Sequence, residues 1–292
     1  MNKMVYKLSK YVPDRLYLQL LYYKHFHRFI NFKNPQTLNE KLQWLKLHNR
    51  RPEYTTMVDK YAAKQYIADL VGSEYVIPTI GVWDRAEDID FDSLPQQFVL
   101  KTTHDSHSVV ICKDKSQLNI DKTVSVLNNR LSVSGYWYGR EWPYKDVPPR
   151  IIAEQYITDS PEADVITDYK FYCFGEEVDC VLVCTERESG DPKFYFFDQD
   201  WTLRRYNKRG KEAPEGFTLP KPENMDEMFE FAKRLAKACN APFVRVDLYS
   251  SNGQIYFGEY TFFPSSGFDA NRLPETDLYF GERTILDNIS KR

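Results

Sequence analysis

No run of about 18 apolar residues occurs in the 292-residue sequence, so no segment is expected to cross a membrane. The N-terminal "YLQLLYY" is too short and too aromatic for a signal-peptide core, and a cytoplasmic location is expected. Charge of one sign is also lacking. Lys and Arg number 39 against 42 Asp and Glu, a formal charge of -3, which argues against sequence-independent binding to nucleic acid, although a local basic groove stays open. There is no CxxC pair: Cys112, Cys173, Cys180, Cys184 and Cys239 form an odd set lying mostly among strand-forming residues, the pattern of a reducing compartment. Cys173, Cys180 and Cys184 read as small buried strand thiols rather than a metal site. Internal repeats, low-complexity segments and an HExxH helix are missing too. The length allows one large domain or two to three lobes around a shared cleft.

What is present is a change of pattern along the chain. The opening segment, up to Phe29, mixes Lys, Arg and aromatics, which suits either a membrane surface or an amphipathic helix packed on the protein, the latter preferred. From Thr37 to Leu70 apolar residues recur at helical spacing, with "HNRRPEY" as connector and Thr37 and Glu40 as a capping box. After Gly72 come short β-rich runs: "YVIPTIGVW", "QFVLKTT", "SVVICKD", "RIIAEQYI", "DYKFYCFGEEVDCVLVCTER" and "KFYFFDQDW". Helices are expected near Lys122–Leu131 and over "NMDEMFEFAKRLAKAC". The class is α+β.

The most informative stretch is "VRVDLYSSNGQIYFGEYTF", Val244 to Phe262, two strand-like runs carrying Arg245, Asp247 and Glu259. Charged residues inside strands need partners. Alternation puts Arg245 with Asp247, and Glu259 with Thr261. A three- or five-residue loop over Ser250–Gln254 sets Arg245 opposite Glu259 and brings all four to one face, whereas a two-residue Asn252-Gly253 turn would send Glu259 to the other. The longer loop is expected. Two converging carboxylates suit a hard divalent cation, since Mg2+ commonly takes one or two carboxylates plus substrate phosphates, and Arg245 would oppose negative charge beside them. A partly solvated ion-pair ladder is the plainer alternative.

This stretch, continued to "FFPSSGF", resembles the final metal-binding hairpin of ATP-grasp enzymes. Upstream, "NPQTLNEKLQWLKLHNRRPEYTTMVDKYAAKQYI", "FVLKTTHDSH", "YGREWPY", "RIIAEQYI" and "DYKFYCF" look like the TupA-like ATP-grasp family of bacterial surface-polysaccharide and teichuronopeptide biosynthesis, in order from Asn34 to Phe268. The resemblance implies two α+β lobes clasping a nucleotide. It divides the chain into a helical region (1–75), a small Lys-bearing lid lobe (76–157) and a core lobe with the metal hairpin (158–292). It implies ATP and Mg2+ as cofactors, with Asp247, Glu259 and Thr261 as metal ligands, Thr261 standing where many ATP-grasp enzymes have Asn. Arg245 would stabilise the phosphorylated intermediate or its adduct. Lys101 would reach the ATP phosphates, with a strand-end lysine lying along apolar surface as alternative. Glu154, Tyr156 and Ile157 would pair with adenine largely through the backbone, and Lys170 would be a phosphate ligand beside Asp168, unless "DYK" is a cross-strand ion pair. Arg187, Asp198, Trp201, Arg140 and Glu141 match further family positions, where fold-supporting contacts explain them as well.

One departure stands out: "THDSHSVV" has His107 and Ser108 where the family commonly has a glycine-rich phosphate loop. His104, Ser106 and Ser108 would then contact phosphate, or the loop would close over another donor; H-x-x-H alone is a poor zinc site. The resemblance implies an ATP-dependent carboxylate–amine ligase acting through an acyl phosphate. Its partners would be a small-molecule or glycan acceptor, lipid-linked in one version, and an amine or amino acid; no nucleic acid is expected. Peripheral contact with the inner face of the membrane is a further expectation. The alternatives are a glycosyltransferase or phosphotransferase on the same scaffold, and a degenerate binding module.

Overall fold

The computed structural model describes residues 9–106, 108–186 and 190–286. The chain forms two compact units, one of Met1–Arg50 with Thr158–Arg292 and the other of Arg51–Ile157. The division between the units falls within the helical N-terminal segment, at 50/51. The cause lies in the second helix of the N-terminal segment, which follows α1 (Asp14–Phe26) and spans α2 (Leu38–His48). Its Asn39 bonds Asp277 through both backbone and side chain at 3.1 Å, Lys41 Nζ donates to the carbonyls of Gly281 and Thr284, and Gln43 and Lys46 donate to Ser266. These bonds tie it to the C-terminal segment. At its start Thr37 Oγ1 accepts from Glu40 N while the Glu40 carboxylate accepts from Thr37 N, so the capping box is formed.

In the second unit, α3 (Glu53–Val58) and α4 (Ala62–Val71) precede β1 (Thr79–Trp83), β2 (Phe98–Thr102) and β3 (Val109–Cys112). After α5 (Ile120–Leu131) and the short α6 (Tyr136–Gly139), β4 (Ile151–Gln155) completes an antiparallel sheet in the order β1-β4-β2-β3. Asn119 caps α5 through Lys122 N. Phe98, Leu100, Ile151 and Ala153 alternate onto the face buried with Leu127, which leaves Lys101 and Glu154 on the opposite face.

The rest of the first unit is a six-stranded antiparallel sheet, order β10-β9-β5-β6-β7-β8. Its strands are β5 (Asp168–Phe174), β6 (Glu177–Thr185), β7 (Lys193–Phe197), β8 (Leu203–Arg204), β9 (Val244–Ser251) and β10 (Gln254–Thr261). Short α7 (Lys208–Glu212) and long α8 (Met225–Cys239) come between β8 and β9, and α9 (Pro274–Arg283) follows β10. The amphipathic α8 covers one face, where Phe229 meets Phe171 edge to face at 5.0 Å and Tyr260 donates to Leu235 O. On the other face α9 packs Phe280 against Tyr172 and Phe196. Cys173, Cys180 and Cys184 are buried in β5 and β6, and burial pushes the Cys173 and Cys180 thiols well above the ordinary value. No helix among the described residues is long and apolar enough to cross a membrane.

Candidate active site

The β9–β10 connection is not the longer loop expected from sequence. Ser251 pairs with Gln254, and Asn252 and Gly253 make a two-residue turn with φ of 52° and 78°. Both residues are left-handed, the twist that closes an antiparallel hairpin tightly. Uninterrupted pairing from that turn would set Glu259 opposite Val246, facing α8. A bulge prevents this: the register slips between Phe257 and Glu259, Gly258 becomes the extra residue, and Glu259 pairs with Asp247 and Thr261 with Arg245. The four polar side chains therefore share one face, by a different register from the one expected. Arg245 lies opposite Thr261, not Glu259.

Their contacts make one cluster. Arg245 grips Asp247 with two hydrogen bonds of 2.6 Å, donates to Thr261 Oγ1 at 3.0 Å, and lies 3.6 Å from Glu259; Thr261 donates to Glu259 at 3.2 Å. Lys170, opposite Asp247 on β5, bonds Asp247 at 2.7 Å and Asp168 at 3.1 Å. Burial alone would lower Lys170, but Asp168 and then Asp247 hold its ammonium above the ordinary lysine value. Burial likewise opposes the charge on Arg245, and Asp247 more than restores it. Burial also pushes the Asp247 carboxyl up, with Arg245 and Lys170 pulling the other way. Burial prevails, so the net direction is upward. Arg245 and Lys170 thus face three carboxyl groups, those of Asp168, Asp247 and Glu259.

Among the described residues no group of three or more His, Cys, Asp or Glu is placed to hold a metal ion. The donors here, two carboxylates and a hydroxyl, are all hard oxygens, and they fit Mg2+ of the kind that completes its shell with phosphate and water. Glu259, with a third of its side chain exposed, is the most accessible; both oxygens of Asp247 are engaged by Arg245 and Lys170, so it would join a metal by yielding one of those bonds.

In the other unit, Lys101 Nζ lies 2.5 Å from Glu154, whose second oxygen meets Lys64 of α4 at 2.6 Å. Burial would raise the Glu154 carboxyl, but Lys101 and then Lys64 overcome it and hold it at about 2. Glu154, expected to act through its backbone, thus has a side-chain role as counter-ion of two lysines. Lys64 escaped the sequence reading because a lysine on a helix 90 positions away carries no local signal. Tyr156 and Gln155 line a cavity of about 780 Å3 with Pro78, Gln96 and Lys113, at the end of the sheet where β1 and β2 begin and β3 and β4 end. Ile157 follows, half-buried.

The loop after Lys101 is organised by a residue the sequence reading passed over, Asp105, which accepts the hydroxyls of Thr102 and Ser108. Ser106 is exposed, and His107 lies outside the described residues. His104 is buried, its Nε2 directed at Val133 O at 3.0 Å, and its Nδ1 is buried with no hydrogen-bond partner among the described residues. A carbonyl only accepts, so Nε2 carries the proton. His104 therefore anchors the loop to the segment after α5. Arg140 is fully buried over the Trp137 ring, Glu141 follows it, Asp198 accepts from Thr202 N in the β7–β8 turn, and Trp201 stacks on Phe197 at 4.6 Å. Arg187 is outside the described residues.

Comparison with solved structures finds D-alanine-D-alanine ligases from Helicobacter pylori (15% identity, 85% of this chain and 69% of that chain, TM-score 0.46) and Bacillus anthracis (15%, 88% and 69%, TM-score 0.47). The ATP-grasp ligase PsnB complexed with minimal precursor also matches (12%, 84% and 68%, TM-score 0.43). Comparison with curated proteins gave no match. The TupA-like ATPgrasp family model matches residues 40–285, a span that takes in Lys101, Glu154, Lys170 and the whole β9–β10 hairpin, and the chain belongs to that family.

Proposed function

We propose that the protein is an ATP-dependent carboxylate–amine ligase that builds an amide on a surface-glycan precursor. The observation that carries this reading is the bulged hairpin, which gathers Arg245, Asp247, Glu259 and Thr261 on one face beside Lys170 in a chain of the ATP-grasp family. A carboxylate oxygen of the acceptor would take the γ-phosphoryl group of ATP, releasing ADP; the amine nitrogen would then attack the acyl carbon and phosphate would leave with the C–O bond.

Asp247 and Glu259, with the Thr261 hydroxyl, would hold Mg2+, which when bound neutralises phosphate charge and polarises the reacting oxygens. Arg245 stays cationic throughout and opposes charge gathering on the phosphoryl oxygens and on the tetrahedral adduct. Lys170 holds Asp247 in place and offers a second ammonium to phosphate. Lys101 and Lys64 share one buried carboxylate, so the trio retains a net positive charge suited to a polyphosphate. The test is ADP release in the presence of ATP, Mg2+ and paired acids and amines. Release that needs both co-substrates supports the ligase; turnover of a sugar nucleotide without ATP would replace it with glycosyl transfer. That second reading is favoured by the carboxylate of Asp105, which occupies the hydroxyls that a phosphate loop would present to its ligand.

A further inference from the structure

The outer side of α1 is apolar. Leu16, Leu20 and Tyr23 recur at i, i+4 and i+7, each about half exposed, while Leu18 and Tyr22 on the inner side are fully buried with Ile30 and Phe32. Phe29 stacks on Tyr23 at 4.9 Å and is 62% exposed, and Tyr11, just before the helix, is 87% exposed. These five large side chains form an outward stripe within some twenty residues of chain.

The charge around the stripe is lopsided. Residues 1–33 contain seven Lys or Arg and a single acid, Asp14, so the segment carries +6 in a chain of -3 and the other 259 residues carry -9. Asp14 is itself held by Arg50 at 2.7 Å. Arg15 and Lys24 are exposed on the flanks of the stripe, and Lys10 and Lys33 are exposed at its ends. An apolar stripe with aromatics, rimmed by cations, is the composition of a helix lying in the interface of an anionic bilayer. A second copy of this segment would meet it with like charge.

We infer that α1 and its flanks seat the protein on an anionic lipid surface. The inner side of the same helix shows what this achieves. His25 stacks on Phe268 at 4.8 Å, and Phe268 closes the turn Pro264–Gly267 that begins three residues after Thr261. A membrane in contact with the stripe lies about one helix diameter, 10–12 Å, from that turn. An acceptor carried on a lipid is therefore the substrate class this placement serves. The acceptor class rests on the ligase reading; the membrane contact does not.

The experiment is co-sedimentation of the full chain, without nucleotide, with vesicles of phosphatidylcholine alone and with added phosphatidylglycerol. Partitioning to the anionic vesicles should exceed that to neutral ones at least tenfold and fall with salt, because each cation near the surface contributes about a fivefold factor. Leu16→Glu/Leu20→Glu and, separately, Lys24→Glu/Lys33→Glu should each reduce it at least tenfold with the circular-dichroism melting curve unchanged. Equal binding to both vesicle types, no binding, or full binding by either double variant overturns the inference. So does a concentration-dependent dimer by light scattering that the leucine variant abolishes, since a second copy would then be the occupant. Loss of ligase activity with vesicle binding intact would count against the proposed reaction alone.

Discussion

Replacing Gly258 by alanine tests the feature on which the candidate active-site hairpin depends. Gly258 is the extra residue of the bulge, and its glycine is required by space rather than by backbone angle. A Cβ there would lie 2.9 Å from Tyr249 Cε2, 3.3 Å from Tyr249 Cζ and 3.0 Å from the carbonyl oxygen of Asp247. The tyrosine ring can swing away; the Asp247 carbonyl belongs to the strand that positions the carboxylate. Relief therefore moves β9 away from β10 at the pair Asp247 and Glu259. Overpacking of this kind costs about 1–3 kcal/mol, and a domain of this size loses about 2–4 °C of melting temperature per kcal/mol. The larger effect should fall on the site, since a shift of this size parts the two proposed metal ligands. We expect calorimetry to show Mg-ATP affinity falling at least about tenfold, worth 1.4 kcal/mol. An alanine variant with unchanged melting temperature and unchanged affinity would refute the reasoning, because the bulge would then not hold the carboxylates in register.

Glu259→Ala should abolish Mg2+-dependent ATP binding while changing stability by less than about 1 kcal/mol, because its ion pair with Arg245 is long and partly exposed; retained binding by calorimetry would remove Glu259 from the metal assignment. Thr261→Val deletes hydrogen bonds to Arg245 and Glu259, and turnover should drop about tenfold with ATP affinity less affected, a split visible in kcat against KM. Glu154 predicts an acid limit to stability. Its folded pKa of about 2 lies below the unfolded value, so its contribution is complete above about pH 4.5 and is lost as pH falls toward 2; Lys64→Met should cost on the order of 3 kcal/mol at pH 7 and shrink that acid dependence, read by denaturant titration across pH. Thr37→Ala removes the oxygen that caps α2 and should cost about 1 kcal/mol in the same assay.

Local chemistry in the sequence determined much of this protein. The capping box at Thr37 and Glu40, the helical spacing of α8 and the β-rich runs of both sheets each depend on residues within a few positions of one another, so they can be read along the chain. The polar residues of the hairpin were legible for the same reason, because charges inside strands need partners wherever the strands lie. The way those residues meet was not. Whether Asn252-Gly253 closes a two-residue turn, and whether Gly258 then steps the register by one, depends on the packing of Val246 and Tyr260 beneath α8 and of Asp247 against Lys170 on β5. Joining α2 to α9 through Asn39 and Asp277, and Lys64 to Lys101 through Glu154, likewise required partners from distant parts of the chain. A residue's type and its neighbours set what it can bond; only the folded chain, by bringing residues 90 or 238 positions apart within 3.1 Å, decided which of those bonds were made.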